Sequence, residues 1–416
     1  MNDRPPGTPR LLRAINDRSA LELLLERGPL TRSQLSALTG LSKPTASHLL
    51  GRLETQGLVQ AVGAREGGRG PNARLYAVVP SCAYVVGVYA GPSELKAEVA
   101  DLAGTVVGTA SVPVGDGADP VSLVHGAVAS ATAHTGFSSD RLRRVVIGTP
   151  GLVDPETGDI RFAWDLPRWH QGLLAALRSD LGTPVAFEND VNLAAVAERH
   201  LGVARDREDF ALIWVGRGLG LAVVIGGRVH HGVTGGAGEI GYLPVPGAPV
   251  ARLRPGAKVY PGGFQSLVNA SAVRDLAAAH GIVASSAADA LLAARGDPGA
   301  VARLGLGAAG RADPGAAARL DRGAGRVLLD ELADRLALGV AAVCTVIDPG
   351  VVVLAGEVGR AGGEPLAARV AAAVTAISPL RPELRVSTVD GEPALRGAVL
   401  SALAAVRDEV FNSTTA

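Results

Sequence analysis

The sequence predicts an α/β chain of two unlike parts: a small helical head closed by a two-stranded hairpin, then a larger module in which one α/β lobe is repeated. Three observations carry this reading. Residues 31–53 hold two short helical patterns that meet at Thr39-Gly40. From about residue 81 the chain runs twice through three strand-like segments followed by alternating strands and helices. The charge is also unevenly divided, because residues 1–80 carry eleven Lys or Arg against six Asp or Glu in a chain whose totals are 40 and 40. One segment is therefore suited to phosphate, and the remainder does something else.

In the head, Thr31 and Gln34 have capping-box spacing, and Leu35 and Leu38 give the first helix an inward side before Thr39-Gly40 ends it. Ser42 caps a second helix with Pro44 in its first turn, where a missing N–H costs little. Ala46, Leu49, Leu50 and Leu53 recur at helical spacing and should pack inward. That leaves Lys43, Thr45, Ser47, His48 and Arg52 pointing away, a small-polar and basic face of the kind that enters a DNA major groove. Leu58-Val59 and Leu75–Val79 read as strands around the basic glycine loop Arg65–Arg74, a wing whose Arg69 is slim enough for a minor groove. The expected DNA-binding set is Arg32, Ser42, Lys43, Thr45, Ser47, His48, Arg52 and Arg69, with Arg32 and Arg52 on phosphates. An ordinary helical hairpin with a solvated face is the alternative, and the wing argues against it. A two-fold dimer on an inverted repeat is the expected arrangement.

Composition bounds the rest. At 416 residues, 47% of them hydrophobic, the chain can bury cores for two or three domains. The polar opening Met1–Gly7 lacks the apolar centre of a signal peptide, and no apolar run reaches membrane-spanning length before a charge intervenes. Cys82 and Cys344 are the only cysteines and sit in apolar contexts, so they read as buried small residues. A soluble cytoplasmic protein is expected.

The repeated lobes follow. Ala83–Tyr89, Leu95–Leu102 and Thr105–Val112 alternate as three strands; a helix near 119–135, a strand at Val145–Gly148, a strand at Pro184–Glu188 and a helix at Asp190–His200 complete the first cycle. The second has strands at Ala211–Val215, Leu221–Ile225 and from Gly226, helices near 264–280, 286–295 and 325–346, and a strand at Val351–Leu354. It closes with a helix near 363–376, a strand at Leu384–Thr388 and a helix from Pro393 to Arg407. Domains are expected at 1–80, 81–205 and 206–416, with short helices and loops over Ala284–Gly325. Paired lobes of this kind usually close on a ligand held between them.

Gly148–Gly158, Glu188–Asn192 and Gly235–Gly241 carry the chemistry. Asn189 and Asp190 stand where a strand becomes a helix. An amide beside a carboxylate suits sugar hydroxyls, which both donate and accept, and Asp190 could serve as a base toward one. Helix capping explains the same dipeptide, and Glu239 in its glycine loop reads equally as a solvated charge.

Together these segments resemble the ROK family of sugar kinases, open reading frames and repressors over nearly the whole chain. The resemblance rests on the Thr39–Thr45 helix-turn-helix run of the repressor branch, Pro150-Gly151, the Glu188–Asn192 segment, and the signature from Val215 through Gly218, Gly220, Gly232 and Gly238 to Gly241. It implies a two-lobed actin-like, ribonuclease H-like (sugar-kinase-like) α/β module behind the winged helix-turn-helix, a sugar site in its cleft, and a homodimer or homotetramer. Carried over to matching positions, it implies a sugar-binding set of Asp165, Asn189, Asp190, Glu239, Tyr242 and Gln265.

The departures matter as much. Where the family's kinases carry Asp-x-Gly-Gly-Thr for Mg-ATP, this chain has Tyr89–Ser93, in which tyrosine removes the acid and Pro92 removes an N–H. Arg217 replaces a threonine in the second phosphate loop and is compatible with anion binding or with its loss. The family's zinc ligands are replaced as well: Tyr242 stands for His, and the stretch ending Lys258–Gln265 that replaces the cysteine run has no cysteine. That lost His and a Glu replaced by Gln265 are also sugar contacts in the family. Asp165 stands where Asn is usual. A regulator controlled by a sugar or sugar phosphate, without kinase activity, metal or other cofactor, is the expectation. A sugar kinase with an added DNA-binding head, or a regulator that has lost small-molecule control, are the alternatives. Elemental analysis of protein purified without chelator should show zinc well below one per chain, and stoichiometric zinc surviving dialysis against EDTA contradicts this.

Overall fold

The computed structural model describes residues 9–65, 73–115, 117–162, 169, 172–252, 262–300 and 322–412. Arg69, Asp165, the residues from Lys258 to Pro261 and half of the Ala284–Gly325 stretch lie outside the described residues. The described residues group into two compact units, within 1–148, 172–186 and 398–416 for the first and within 149–171 and 187–397 for the second.

A helix absent from the sequence expectation, α1 (Pro9–Arg27), precedes the first unit's head. Its Ala20, Leu21 and Leu24 are buried, while Leu11, Leu12 and Ile15 are about half exposed and Asp17 is fully buried, so its polarity pattern is scrambled. Next come β1 (Leu30–Thr31), α2 (Arg32–Thr39), α3 (Lys43–Thr55), β2 (Val59–Arg65) and β3 (Ala73–Val78), with the strands in the order β1-β3-β2. Ala46, Leu49, Leu50 and Leu53 of α3 are buried as their spacing predicts, and Leu35 of α2 joins them. Leu38 does not: at 42% exposure, in the last turn of an eight-residue helix, it belongs to the surface.

The two lobes repeat one topology. In the first, β4 (Tyr84–Ala90), β5 (Glu94–Asp101) and β6 (Val106–Pro113) form an antiparallel meander, and β7 (Leu142–Thr149) lies parallel to β4. Helix α4 (Pro120–Thr132) precedes β7, the small hairpin β8 (Leu152–Val153) and β9 (Ile160–Phe162) follows it, and α5 (Leu173–Leu181) leads to β10 (Val185–Asn189). The resulting order is β10-β7-β4-β5-β6. After α6 (Asp190–Leu201), β11 (Phe210–Val215), β12 (Leu219–Ile225) and β13 (Arg228–Val229) make a second meander, and β14 (Val351–Ala355) and β15 (Glu383–Val386) add parallel strands. Its order, β13-β12-β11-β14-β15, matches the first sheet strand for strand. The repeat expected from the sequence is thus present in the hydrogen bonding.

The second sheet is covered on both faces. Ala211, Ile213 and Val215 of β11 face a core shared with α7 (Gln265–Val268), α8 (Ala270–Ala279), α9 (Ala287–Ala294), α10 (Arg322–Ile347) and α11 (Gly356–Ile377). Phe210 and Leu212 face Val191, Ala194 and Ala195 of α6. A strand buried on both sides needs the unbroken apolar run that β11 has. The helix expected over 264–280 is two helices, because Asn269 accepts a hydrogen bond from the Ala272 N–H and starts a new one. Helix α11 begins seven residues before the expected start and kinks at Gly363, two residues ahead of Pro365.

Contacts explain why the units are not cut at 205–206. Val191 of α6 sits against Gly220 of β12 in the second unit, and the last turns of α12 (Pro393–Asn412) belong to the first, where Arg407 donates to the Leu102 carbonyl. At the start of α12, Gly397 lies against α6 so closely that a Cβ there would stand 1.9 Å from the Leu193 carbonyl oxygen. Among the described residues no helix is long and apolar enough to cross a membrane. Gly397→Ala should cost about 1–3 kcal/mol in denaturant unfolding, the usual scale of forced overpacking; an unchanged midpoint and slope would show that α12 and α6 are free to separate.

Candidate functional site

The head presents its polar face as the sequence predicts, with two exceptions. The α2 capping box is formed, the Thr31 hydroxyl accepting from the Gln34 N–H at 3.2 Å while the Thr31 N–H donates to Gln34 Oε1 at 2.9 Å. Gly40, at φ 72°, makes the left-handed turn between the helices. Ser42 caps α3, its hydroxyl accepting from the Thr45 N–H at 3.3 Å and lying 2.8 Å from the Thr45 hydroxyl. Ser42, Lys43, Thr45 and His48 are exposed and Ser47 is half-buried, all on the side away from the core.

The exceptions are arginines. Arg52 is turned toward α1, where its Nη2 pairs with Asp17 Oδ1, and its side chain is about one third exposed. Arg32 remains exposed, but it donates to the Tyr76 hydroxyl of the wing from Nε at 3.1 Å and Nη2 at 2.7 Å. Its role is at least partly to brace α2 against β3. Val62 and Ala64 of β2 are exposed, and the wing tip with Arg69 lies outside the described residues.

In the second unit, the turn from β10 into α6 organises a polar cluster. Asn189 is the N-cap: its Oδ1 accepts from the Val191 and Asn192 N–H groups at 2.9 and 3.2 Å, and its Nδ2 donates to the Gly151 carbonyl at 2.9 Å. Capping is therefore what Asn189 does here. Asp190, the first residue of the helix, accepts from the Val191 N–H at 2.9 Å, and its negative charge is favoured at a helix N-terminus. Glu239 is close enough for Asp190 to act on it. Burial first, and the Asp190 charge second, push the Glu239 carboxyl above its ordinary range. Such a pair sets two acidic side chains, one of them partly buried, at the same helix N-terminus.

Glu239 is held by a loop fastened to β12. The Gly238 carbonyl accepts from the Leu221 N–H at 3.0 Å, and at φ +98° any Cβ on Gly238 would meet the Leu221 carbonyl oxygen at 1.9 Å, so only glycine fits. The loop continues through a 3₁₀ turn, Ile240–Tyr242. Gln265 lies beside it, its Oε1 3.5 Å from where a Cβ on Gly241 would be. Tyr242 and Gln265 are both half-buried.

Two residues outside the expected set complete the cluster. Glu188 Oε1 accepts from the Asn189 N–H and from Asn192 Nδ2, each at 2.9 Å, and its Oε2 pairs with His231 Nε2 at 2.8 Å. The hydrogen bond to Glu188 raises the His231 pKa against the opposing effect of burial. The adjacent pair His230-His231 in the signature loop was the available sequence signal. The segments compared with phosphate loops are tight turns, in which the Gly91 N–H donates to Glu94 O and the Gly216 N–H to Gly218 O, each at 3.0 Å. Among the described residues no group of three or more His, Cys, Asp or Glu could hold a metal ion.

A basic winged helix-turn-helix joined to a duplicated α/β module with a polar site at a helix N-terminus defines the class. Residues 85–265 match the ROK family and residues 15–70 the MarR family, so the chain joins a MarR-type winged helix to a ROK domain. It is homologous to the DNA-binding transcriptional dual regulator NagC of Escherichia coli (strain K12), 28% identical over 247 residues that cover 58% of this chain and 59% of that protein. The match thus spans about three fifths of that relative's length. The solved ROK family transcriptional regulator described as a homolog of the E. coli MLC protein shares the fold over 97% of this chain and 99% of its own, with a TM-score of 0.71 at 20% identity. The ROK hexokinase from Thermus thermophilus matches 78% of this chain and 99% of its own, with a TM-score of 0.59 at 28% identity.

The raised His231 pKa means that its pair with Glu188 contributes stability in full below the unfolded-state value of about 6.5 and loses it as pH rises through the folded-state value. Glu188→Gln should bring the NMR-titrated His231 pKa down toward that ordinary value. An unchanged titration would mean that the pair is not formed in solution.

Proposed function

We propose that this chain is a DNA-binding transcriptional regulator, a repressor, whose affinity for an inverted-repeat operator is tuned by a sugar or sugar derivative. The observation that carries the reading is α3 itself: a helix capped by Ser42, buried through Ala46, Leu49, Leu50 and Leu53, and exposing Lys43, Thr45 and His48 beside a two-stranded wing. That geometry suits base-edge contacts from the N-terminal half of a recognition helix. The homology to a protein named as a transcriptional regulator supports it. A two-fold dimer would place two such helices about one or two helical turns apart.

The ligand reading rests on Asp190 and Glu239. Two acidic side chains match neighbouring hydroxyls, which donate to carboxylates, with Tyr242 offering an aromatic face and Gln265 a neutral amide. Asp190 would then accept from a ligand hydroxyl. Phosphoryl transfer is outside this proposal, because Tyr89 and Pro92 stand where an acid and an N–H would serve the nucleotide, and the Gly91 N–H is spent on its own turn.

The kinase reading is favoured by one observation, a carboxylate at the N-terminus of α6 in a domain shared with a hexokinase. A coupled assay with ATP and a hexose panel separates the two. No sugar-dependent ADP release is expected, and turnover at about 1–100 per second would establish a kinase. For DNA, a duplex selected from a random pool should bind the full chain tightly. Thr45→Ala and His48→Ala should change the preferred sequence, while Lys43→Ala should weaken binding by roughly tenfold. Binding that is equal for selected and scrambled duplexes would contradict sequence-specific recognition.

A further inference from the structure

Asp17 occupies a position that an apolar residue would be expected to fill. It continues the α1 stripe of Ala20, Leu21 and Leu24 and is 0% exposed. A carboxylate is costly to bury unless it is paired and its remaining lone pairs are met. Here Oδ1 has Arg52, while Oδ2 is buried without a hydrogen-bond partner. An apolar side chain in this place would avoid that cost.

What the pair adds is direction. The other buried residues of α3, Ala46, Leu49, Leu50 and Leu53, are apolar, and such contacts resist separation far better than they resist rotation or sliding. A charged hydrogen bond between two helices has one satisfactory register. Arg52 also lies in the last turn of α3, where a cation is favoured, and its side chain is 35% exposed. Were Arg52 to leave for a DNA phosphate, Asp17 would remain as an unpaired buried charge, so the cation is not available to the duplex.

We propose that the Asp17–Arg52 pair fixes the rotation of α3 on α1, and that both residues act on sequence readout by orienting the recognition helix without touching DNA. They are positioning residues, and this inference rests on the DNA-binding reading above.

The test uses the full chain and a duplex selected by the wild type from a random pool, against a scrambled duplex of the same composition. Affinities are measured across a salt series at a temperature where circular dichroism shows each variant folded. The variants are Asp17→Asn, Arg52→Ala and the apolar pair Asp17→Leu with Arg52→Met, which removes both charges and should melt no lower than wild type. For all three, the ratio of selected to scrambled affinity should fall by about tenfold, the scale of a lost base-edge contact, with an unchanged salt slope. The single-variant losses should also fail to add in the apolar pair. If Arg52→Ala lowers the salt slope by about one and Asp17→Asn leaves the ratio intact, Arg52 is a phosphate contact and the proposal is overturned. It is equally overturned if the variants change only the melting temperature. A wild type that selects no duplex would instead overturn the DNA-binding reading itself.

Discussion

The side chain of Asn189 joins pieces of chain that would otherwise be independent. Its Oδ1 closes the first turn of α6, and its Nδ2 reaches the Gly151 carbonyl, so the Pro150-Gly151 turn is registered on the helix start. An N-cap of this kind is worth about 1 kcal/mol to a helix, but its geometric effect is larger. It places Asp190 in the first turn, where the unsatisfied N–H groups favour negative charge. Glu188, one residue earlier, accepts from Asn189, Asn192 and His231, so the loop carrying His231 is tied to the same corner. Glu239 then finds itself half-buried near an existing anion, and its proton is harder to remove.

The winged head follows the same economy with different chemistry. Ser42 and Thr31 set where α3 and α2 begin, Arg32 braces α2 on the wing through Tyr76, and Asp17 holds Arg52. Two cations that the sequence pattern assigned to phosphate, Arg32 and Arg52, are therefore engaged within the protein. In the proposed reading, the exposed residues on the early turns of α3 are left to carry recognition. Lys43 is the only basic one among them apart from His48, which is the reason for placing specificity with small polar side chains.

Most of the strand and helix order was legible because the β-strands alternate or run apolar without interruption, as in β11 and β14, and because α3 keeps its inward positions strictly. The failures have identifiable causes. Helix α1 hides behind an inverted pattern, with Asp17 inside and Leu11, Leu12 and Ile15 outside. The break between α7 and α8 is a capping event at Asn269 within a run whose composition is helical throughout. The first turns of α11 contain glycines that argue against helix until packing overrides them. At the site, Asn189, Asp190 and Glu239 could be picked out from a strand end and a glycine loop. For His231 the only signal was the adjacent His230-His231 pair, since its partner Glu188 is 43 residues away and only the folded loop brings them together.

The proposed control of DNA binding by a ligand at Asp190 would be a linkage between two equilibria, and linkage is reciprocal. The most direct measurement takes a sugar or sugar derivative found to bind by calorimetry and follows the affinity of a selected duplex for the full chain as that ligand is raised to saturation. Ligand affinity is then measured in the presence of saturating duplex. The ligand should weaken duplex binding, the duplex should weaken ligand binding by the same factor, and Asp190→Ala should abolish both effects while leaving ligand-free duplex affinity intact. Duplex affinity that stays constant to saturating ligand in the wild-type protein would contradict control through this site.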